Sequence, residues 1–264
     1  MGNLQDKCVV ITGASGGIGM EVARRAAARG AKVVLLARSL EKLEQLKQEL
    51  SIQYKQQDFY AYKLDVGIPK DIEVVFTKIL QDAGKVDVLV NNAGFGMFKQ
   101  AVDTEIHEAE TMFNVNVIGL MACTKMVLPS MLQRNQGHII NIASQAGKMA
   151  TPKSSLYSAT KFAVLGYSNA LRMEMMDTNI HVTTVNPGPI ETNFFEIADE
   201  TGSYVKNIAK FMLKPGDVAE KIVAAMLTSK REINLPGYMN AASKFYNLFP
   251  RTAETLGKGA FFKK

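Results

Sequence analysis

Tyr157 and Lys161 lie four residues apart in SSLYSATKFAVLGYS, a spacing that puts a phenol and an ammonium on one face of a helix. A phenol ionises near pH of about 10 and is by itself a poor acid or base at neutral pH. A neighbouring cation stabilises its anion and makes it a usable proton donor. Such pairs also share helix faces by chance, so the weight comes from what surrounds this one. Upstream stand TGASGGIG from Thr12 to Gly19, NNAG from Asn91 to Gly94, Asn116 and Ser144; downstream comes NPGPIET from Asn186 to Thr192. One reaction centre would explain that order.

The glycine-rich stretch follows an apolar strand pattern and opens a helical one. Gly13 would permit a tight turn, Gly17 or its neighbour Gly16 would let backbone approach a pyrophosphate, and Gly19 would allow close packing, with the anion at the helix N-terminus. An NAD-selective site would place a carboxylate near Ala37, at the end of VVLLA, to hold the ribose hydroxyls. None is there; Arg38 follows instead, a cation suited to the extra 2′-phosphate of NADP, with Ser15 or Ser39 at hand. Asp65 in LDV is placed either to accept from an adenine amino group or to cap a turn. In NNAG, Asn92 would tie down the sheet edge while the backbone of Ala93 and Gly94 approaches the cofactor ribose.

The elements that must position these groups alternate. Short β-rich runs at Lys7–Ile11, Lys32–Ala37, Asp58–Leu64, Val86–Val90, Gly137–Ala143, His181–Asn186 and Glu232–Leu235 are separated by amphipathic helical stretches, the pattern of a parallel sheet covered on both faces. The first helix is expected from Gly17 to Gly30, and Ser39 is a candidate N-cap of the second. The expectation is an α/β fold, a doubly wound Rossmann-type parallel seven-stranded sheet, whose ligand crevice lies at the C-terminal strand ends. Every motif above falls at such an end.

From about Lys7 to Leu235 the chain resembles the short-chain dehydrogenase/reductase family, whose single-domain branch carries TGxxxGxG, NNAG, an Asn, a Ser, YxxxK and a PG motif in this order. The resemblance implies a catalytic tetrad of Asn116, Ser144, Tyr157 and Lys161, and cofactor contacts from Gly13, Ser15, Gly17, Ile18, Gly19, Arg38, Asp65, Val66, Asn92, Ala93, Gly94, Tyr157, Lys161, Pro187, Gly188, Ile190 and Thr192. Ser144 would hold a carbonyl oxygen and Tyr157 would give it a proton. Lys161 would lower the tyrosine's pKa and grip the nicotinamide ribose, and Asn116 would hold a water leading from Lys161 to solvent. The backbone near Ile190 and the Thr192 hydroxyl would reach the carboxamide, exposing the B face for 4-pro-S transfer. A substrate lid is expected at about 190–214. Phe194, Phe195, Phe211 and Met212, with Phe95, Met97, Phe98 and Met149, suggest an apolar pocket.

At 264 residues with 47% hydrophobic content, one domain is expected. Cys8 and Cys123 sit in apolar patterns and read as buried thiols, and His107, His138 and His181 show no metal-ligand spacing. The N-terminus has neither a basic nor an apolar signal region, Asp6 occupies the position where a myristoylation signal needs Ser or Thr, and no apolar run of membrane-spanning length is expected, so the location is expected to be cytoplasmic. Of the net charge of +6, four units lie from Arg231 onward, and no basic face interleaved with aromatics suggests nucleic acid.

Residues 1–238 are therefore expected to form the NADP-binding catalytic domain, and 239–264 a basic, aromatic extension beyond the family's usual end. Ala242, Phe245, Tyr246 and Phe249 make a helical stripe that could cover the cleft, pack on a second copy in a homodimer or homotetramer, or touch an anionic membrane. The expected activity is NADP(H)-dependent hydride transfer between nicotinamide and a carbonyl or alcohol substrate, running reductively because cells keep NADPH reduced. A non-catalytic NADP sensor and a membrane-surface protein are the rivals.

Overall fold

The computed structural model describes residues 3–198 and 211–261. Strands β1 (Cys8–Thr12), β2 (Lys32–Ala37), β3 (Phe59–Lys63), β4 (Val88–Asn91), β5 (Gly137–Ile142), β6 (Ile180–Pro187) and β7 (Glu232–Leu235) form one seven-stranded sheet in the order β3-β2-β1-β4-β5-β6-β7. All neighbours pair in parallel. The order runs outward from β1 in one direction and from β4 in the other, so the reversal between them opens a crevice above their C-terminal ends.

The strands are near-continuous apolar runs because both faces are covered. Val9, Ile11, Val33, Leu35, Val88, Val90, Ile140 and Ile142 point to one side, into the side chains of α1 (Gly17–Ala27), α2 (Leu40–Gln53) and α8 (Pro215–Ala225). Val10, Val34, Leu36, Leu89, Ile139 and Val182 point to the other, into α3 (Pro69–Ala83), α5 (Gly119–Gln133) and α6 (Ser155–Glu174). Arg25 of α1 and Arg29 in the turn after it both pair with Glu220 of α8, which fastens the helices of the first layer to each other.

Strand boundaries agree with the sequence reading to within two residues. The largest shift is at β4, where Val86 and Asp87 stay outside the ladder: pairing to β5 begins at Val88, and the buried Asp87 carboxylate accepts from the Cys8 amide and pairs with Lys85 and Arg134. Helix α1 stops at Ala27, with Gly30 at φ +90 in the turn that follows. Ser39 is the N-cap of α2 by position, with no side-chain capping bond.

One expectation fails. α4 (Ile106–Phe113), a π-helical turn at Asn114–Ile118 and α5 run together as a helix of 28 residues, long and apolar enough to cross a membrane by length and composition. In the fold it is a core helix: Met112, Val117, Cys123, Val127 and Met131 are buried. Its polar first turn, Asn114, Asn116 and the internal Pro129 hid that continuity in the sequence.

The extension is also more than one stripe. It forms α9 (Gly237–Leu248) and α10 (Pro250–Phe261), broken at Phe249–Pro250, with the Phe245 and Phe249 rings 5.6 Å apart. Both cysteines are buried thiols pushed up to about 12, Cys8 by burial and by Asp87, Cys123 by burial alone. Buried His138, pulled down to about 3 by desolvation, accepts from the Leu227 amide through Nδ1 and meets the Thr183 hydroxyl at Nε2, a structural role as expected.

Candidate active site

A cleft of about 970 Å³ lies above the C-terminal strand ends and is lined by residues from nearly every motif singled out in the sequence. At one end is the glycine-rich loop between β1 and α1. Gly13 and Gly17 both have left-handed backbone, at φ +67 and +53, which only glycine adopts without strain. A Cβ on Gly19 would stand 2.4 Å from the Gly13 carbonyl and 2.6 Å from Asn92 Nδ2, so this glycine packs helix against loop and Asn92. Gly16, the N-cap of α1, faces open space, and no side chain caps the helix. A free helix N-terminus aimed into a cleft fits an anionic group such as a pyrophosphate.

Thr12, which sequence reasoning took only as the first letter of a motif, is the joint of this end. Its Oγ1 accepts from the amides of Asn92 and Ala93, both at 3.0 Å, and donates to Val90. Asn92 answers with Nδ2 bonds to the carbonyls of Thr12 (2.9 Å) and Gly13 (3.1 Å). Because β4 is the central strand, Asn92 locks the glycine loop to the middle of the C-terminal rim, not to a lateral edge. Arg38 stands exposed at the mouth, beside Ser39 and Lys42, and Ser15, Asp65 and Val66 line the same end. Asp65 also serves the plainer use foreseen for it, accepting from the Gly67 amide at 2.9 Å.

At the other end α6 presents Tyr157 and Lys161 to the cleft. The Lys161 Nζ lies 5.7 Å from the Tyr157 ring centroid and donates to the Ile142 carbonyl at 2.9 Å. Burial draws its ammonium down to about 8, which leaves it charged at neutral pH. Ser144, at the end of β5, accepts from the Ala146 amide at 3.0 Å, whereas its own hydroxyl reaches the Pro187 carbonyl only at 3.5 Å. That weak bond leaves the hydroxyl proton available to a ligand oxygen.

Asn116 sits in the π-helical turn, a feature often found at functional sites. Its Nδ2 donates to the Phe95 carbonyl and to Thr160 Oγ1, and its Oδ1 accepts from the Phe95 amide. Both amide hydrogens are committed, so toward a water its side chain can only accept. Asn116 therefore braces the NNAG loop against α6 one residue from Lys161.

Pro187, Gly188, Ile190 and Thr192 line the cleft between its two ends. The mutual backbone bonds of Pro189, Glu191 and Leu213 pinch together the two ends of the expected lid; residues 199–210 of that lid lie outside the described residues. Phe95, Phe98, Met149, Phe194 and Phe195 line the cleft as foreseen, while Met97, Phe211 and Met212 do not, and Phe211 is exposed.

The family model described as short chain dehydrogenase matches residues 7–202. The chain belongs to that family. It is 35% identical over 267 residues to Dehydrogenase/reductase SDR family member 7B of Mus musculus, covering 98% of this chain and 80% of the mouse protein. It is 36% identical over 233 residues to the NADP-dependent 3-hydroxy acid dehydrogenase of Schizosaccharomyces pombe, covering 86% and 89%. The structure of a short chain dehydrogenase/reductase from Burkholderia phymatum in complex with NAD shares the fold, with a TM-score of 0.86 at 22% identity over 96% of both chains. Membership makes the chain an oxidoreductase of this Rossmann-type family. With both nucleotides among the proteins it is similar to, the choice between them must come from its own residues.

Two further cleft residues of this family member went unnoticed in the sequence. Gln145 is buried and donates to the Asn186 carbonyl at 2.8 Å; its place directly after Ser144 was the available signal. Met239, from the C-terminal extension, lines the cleft, its sulfur so close to Gly188 that a Cβ there would approach it to 2.8 Å. Asn240 beside it accepts from Lys148 at 3.2 Å, and Lys148 in turn pairs with Glu232 at 2.6 Å. Nothing in the local pattern could place Met239 beside Gly188, fifty-one positions away.

Proposed function

We propose that this protein is an NADP(H)-dependent carbonyl reductase in which Tyr157 is the general acid, with the reverse alcohol oxidation available through the same groups. The observation that carries the reading is the convergence of Ser144, Tyr157 and Lys161 on the cleft that also holds the free N-terminus of α1, with Asn116 buried behind them and bonded to Phe95 and Thr160. When bound there, the nicotinamide supplies the hydride. Ser144 donates to the substrate's carbonyl oxygen and holds it near the phenol. As charge develops on that oxygen, Tyr157 releases its proton to it, and the Lys161 ammonium 5.7 Å from the ring stabilises the phenolate left behind. The balance is one hydride on carbon and one proton on oxygen, giving the alcohol and an oxidised nucleotide. Solvent reprotonates the tyrosine. A sensor that only bound the nucleotide would need no such set of four groups.

Arg38 supports NADP over NAD. It follows β2 directly, where Ala37 replaces the carboxylate an NAD-selective site would need, and Ser39 and Lys42 line the same corner. The hydroxy-acid substrate named for the Schizosaccharomyces pombe relative is not part of the proposal, because Lys161 is the one charged described residue lining the catalytic end. Cytoplasmic placement, supported by the two unpaired thiols, and a homodimer or homotetramer, supported by apolar Tyr238, Leu248 and Leu256 exposed on α9 and α10 and Phe249 exposed between them, complete the reading.

The test is nucleotide oxidation with NADPH and NADH side by side against a panel of ketones, aldehydes, diketones, steroids and sugars. Turnover with NADPH, at least ~10-fold preferred over NADH, is expected from the charge-assisted bonds Arg38 would make to a 2′-phosphate. Turnover of none of these substrates, or equal use of both nucleotides, would count against it.

A further inference from the structure

The cleft has two ends of opposite chemical character, and the difference bears on what the protein reduces. Around the phenol of Tyr157 stand Phe98 and Phe194, with ring centroids 6.0 and 5.6 Å away. Phe98 meets Phe194 at 6.4 Å and Phe195 at 6.3 Å, and the last two meet edge to face at 5.4 Å. Phe194 comes from α7 (Phe194–Ala198) and reaches across to the loop after NNAG, where a Cβ on Gly96 would stand 2.8 Å from its Cζ and 3.0 Å from the Tyr157 ring. A side chain at that position would fill the space the two rings share. Met149 and Met239 line the same cleft.

Among the described residues lining the cleft, the charged ones are Arg24, Arg38, Lys42, Glu49 and Asp65, all on the side of β1 to β3, and Lys161. Lys161 is committed to the Ile142 carbonyl and to its place beside Tyr157. Lys148, next in sequence to Met149, is held by Glu232 and Asn240. Anions are therefore provided for at the nucleotide end, while the catalytic end offers aromatic faces and edges, thioethers and neutral hydrogen-bonding groups from Ser144, Thr151, Ser154 and Asn193.

Resting on the carbonyl chemistry proposed above, we infer that the substrate is a neutral ketone or aldehyde with an aromatic or bulky apolar substituent packed on Phe98 and Phe194, and that carboxylate-bearing carbonyls are discriminated against. An aryl group gains edge-to-face contacts with these rings in addition to burial of its area. A carboxylate in the same place sheds its hydration, and among the described residues lining that end it meets no cation but Lys161, which is bonded to the Ile142 carbonyl beside Tyr157. Phe194, carried on the lid segment, is the specificity-determining side chain.

A matched pair of probes isolates charge from shape: methyl 4-acetylbenzoate and 4-acetylbenzoate, which carry the same aryl ketone. With NADPH, kcat/KM for the ester should exceed that for the carboxylate by at least ~10-fold, and Phe194→Arg, which places a cation in the aromatic wall, should cut that ratio by a similar factor. NADPH titration of the variant checks that the nucleotide end is still formed. A carboxylate reduced as well as its ester, or better, overturns the substrate class while leaving carbonyl reduction in place. An ester preference untouched by Phe194→Arg, in a variant that still binds NADPH, overturns the assignment of Phe194. Failure of both probes, and of every other carbonyl, to oxidise NADPH removes the carbonyl reading and this inference with it.

Discussion

Two cations serve this cleft in different ways, and each carries its own prediction. Arg38 is exposed, so its guanidinium is hydrated until an anion arrives, and in the proposed NADP reading its contribution is selective: a charge-assisted bond to a 2′-phosphate is worth roughly 1.5–3 kcal/mol, or about 10- to 100-fold in affinity. Arg38→Ala should weaken NADPH by that factor and NADH far less, in fluorescence titrations of both; equal weakening would remove Arg38 from the 2′ site. Lys161 is buried, and desolvation has already drawn it from 10.5 to about 8. The unfolded chain therefore binds its proton more tightly than the folded one, so this group opposes folding at neutral pH and stability rises as pH climbs from about 8 toward 10.5. In the proposed mechanism catalysis runs the opposite way, since the ammonium is there the active form. The kcat/KM for carbonyl reduction should hold below pH of about 8 and fall above it, as the free enzyme's ionisation dictates. A profile still level at pH of about 9.5 would mean that the charge on Lys161 is not required.

Among the elements, the joint between β1 and β4 does most to shape the nucleotide end. Asn92→Ala removes two bonds to the carbonyls of Thr12 and Gly13 and loosens the glycine loop. At about 1 kcal/mol net per bond the loss is about 2 kcal/mol, or roughly 4–8 °C in Tm, with NADPH affinity falling alongside; a scan showing an unchanged Tm would contradict the joint. This part of the fold was only half legible. Strands could be read because β-branched runs such as VVIT and VVLLA end in motifs, and a run buried on both faces carries its signal locally. Their ends shifted where pairing decided the matter, as at Val86 and Asp87, since a carboxylate buried for a cross-strand bond looks like any strand residue until its partners are in place. The place of Tyr157, Lys161 and Ser144 at the cleft was legible because it is tied to residue type and order, whereas Asn116 lies behind it, bonded to Phe95 and Thr160. Thr12, Gln145 and Met239 were not legible, because a hydroxyl, an amide and a thioether gain their roles only from neighbours far away in sequence.

Over the whole molecule, the catalytic end is completed from the chain's far end: α9 brings Met239 against Gly188, and Asn240 anchors it to Lys148. Deleting residues 240–264 should therefore raise KM for the carbonyl substrate several-fold while NADPH affinity is kept, because the glycine loop follows β1 at the other end of the cleft. Light scattering on the same truncated chain reads whether α9 and α10 also hold an assembly together. An unchanged KM with an unchanged assembly would deny the extension both roles. All of these effects presuppose that one proton donor operates in the cleft. The most direct measurement is the turnover of Tyr157→Phe, which keeps the ring among Phe98 and Phe194 and removes only the hydroxyl. With NADPH and any ketone that the wild-type protein reduces, kcat should drop by at least ~10²-fold while the dissociation constant for NADPH stays the same; a variant that kept nearly all of its kcat would show that Tyr157 is not the acid.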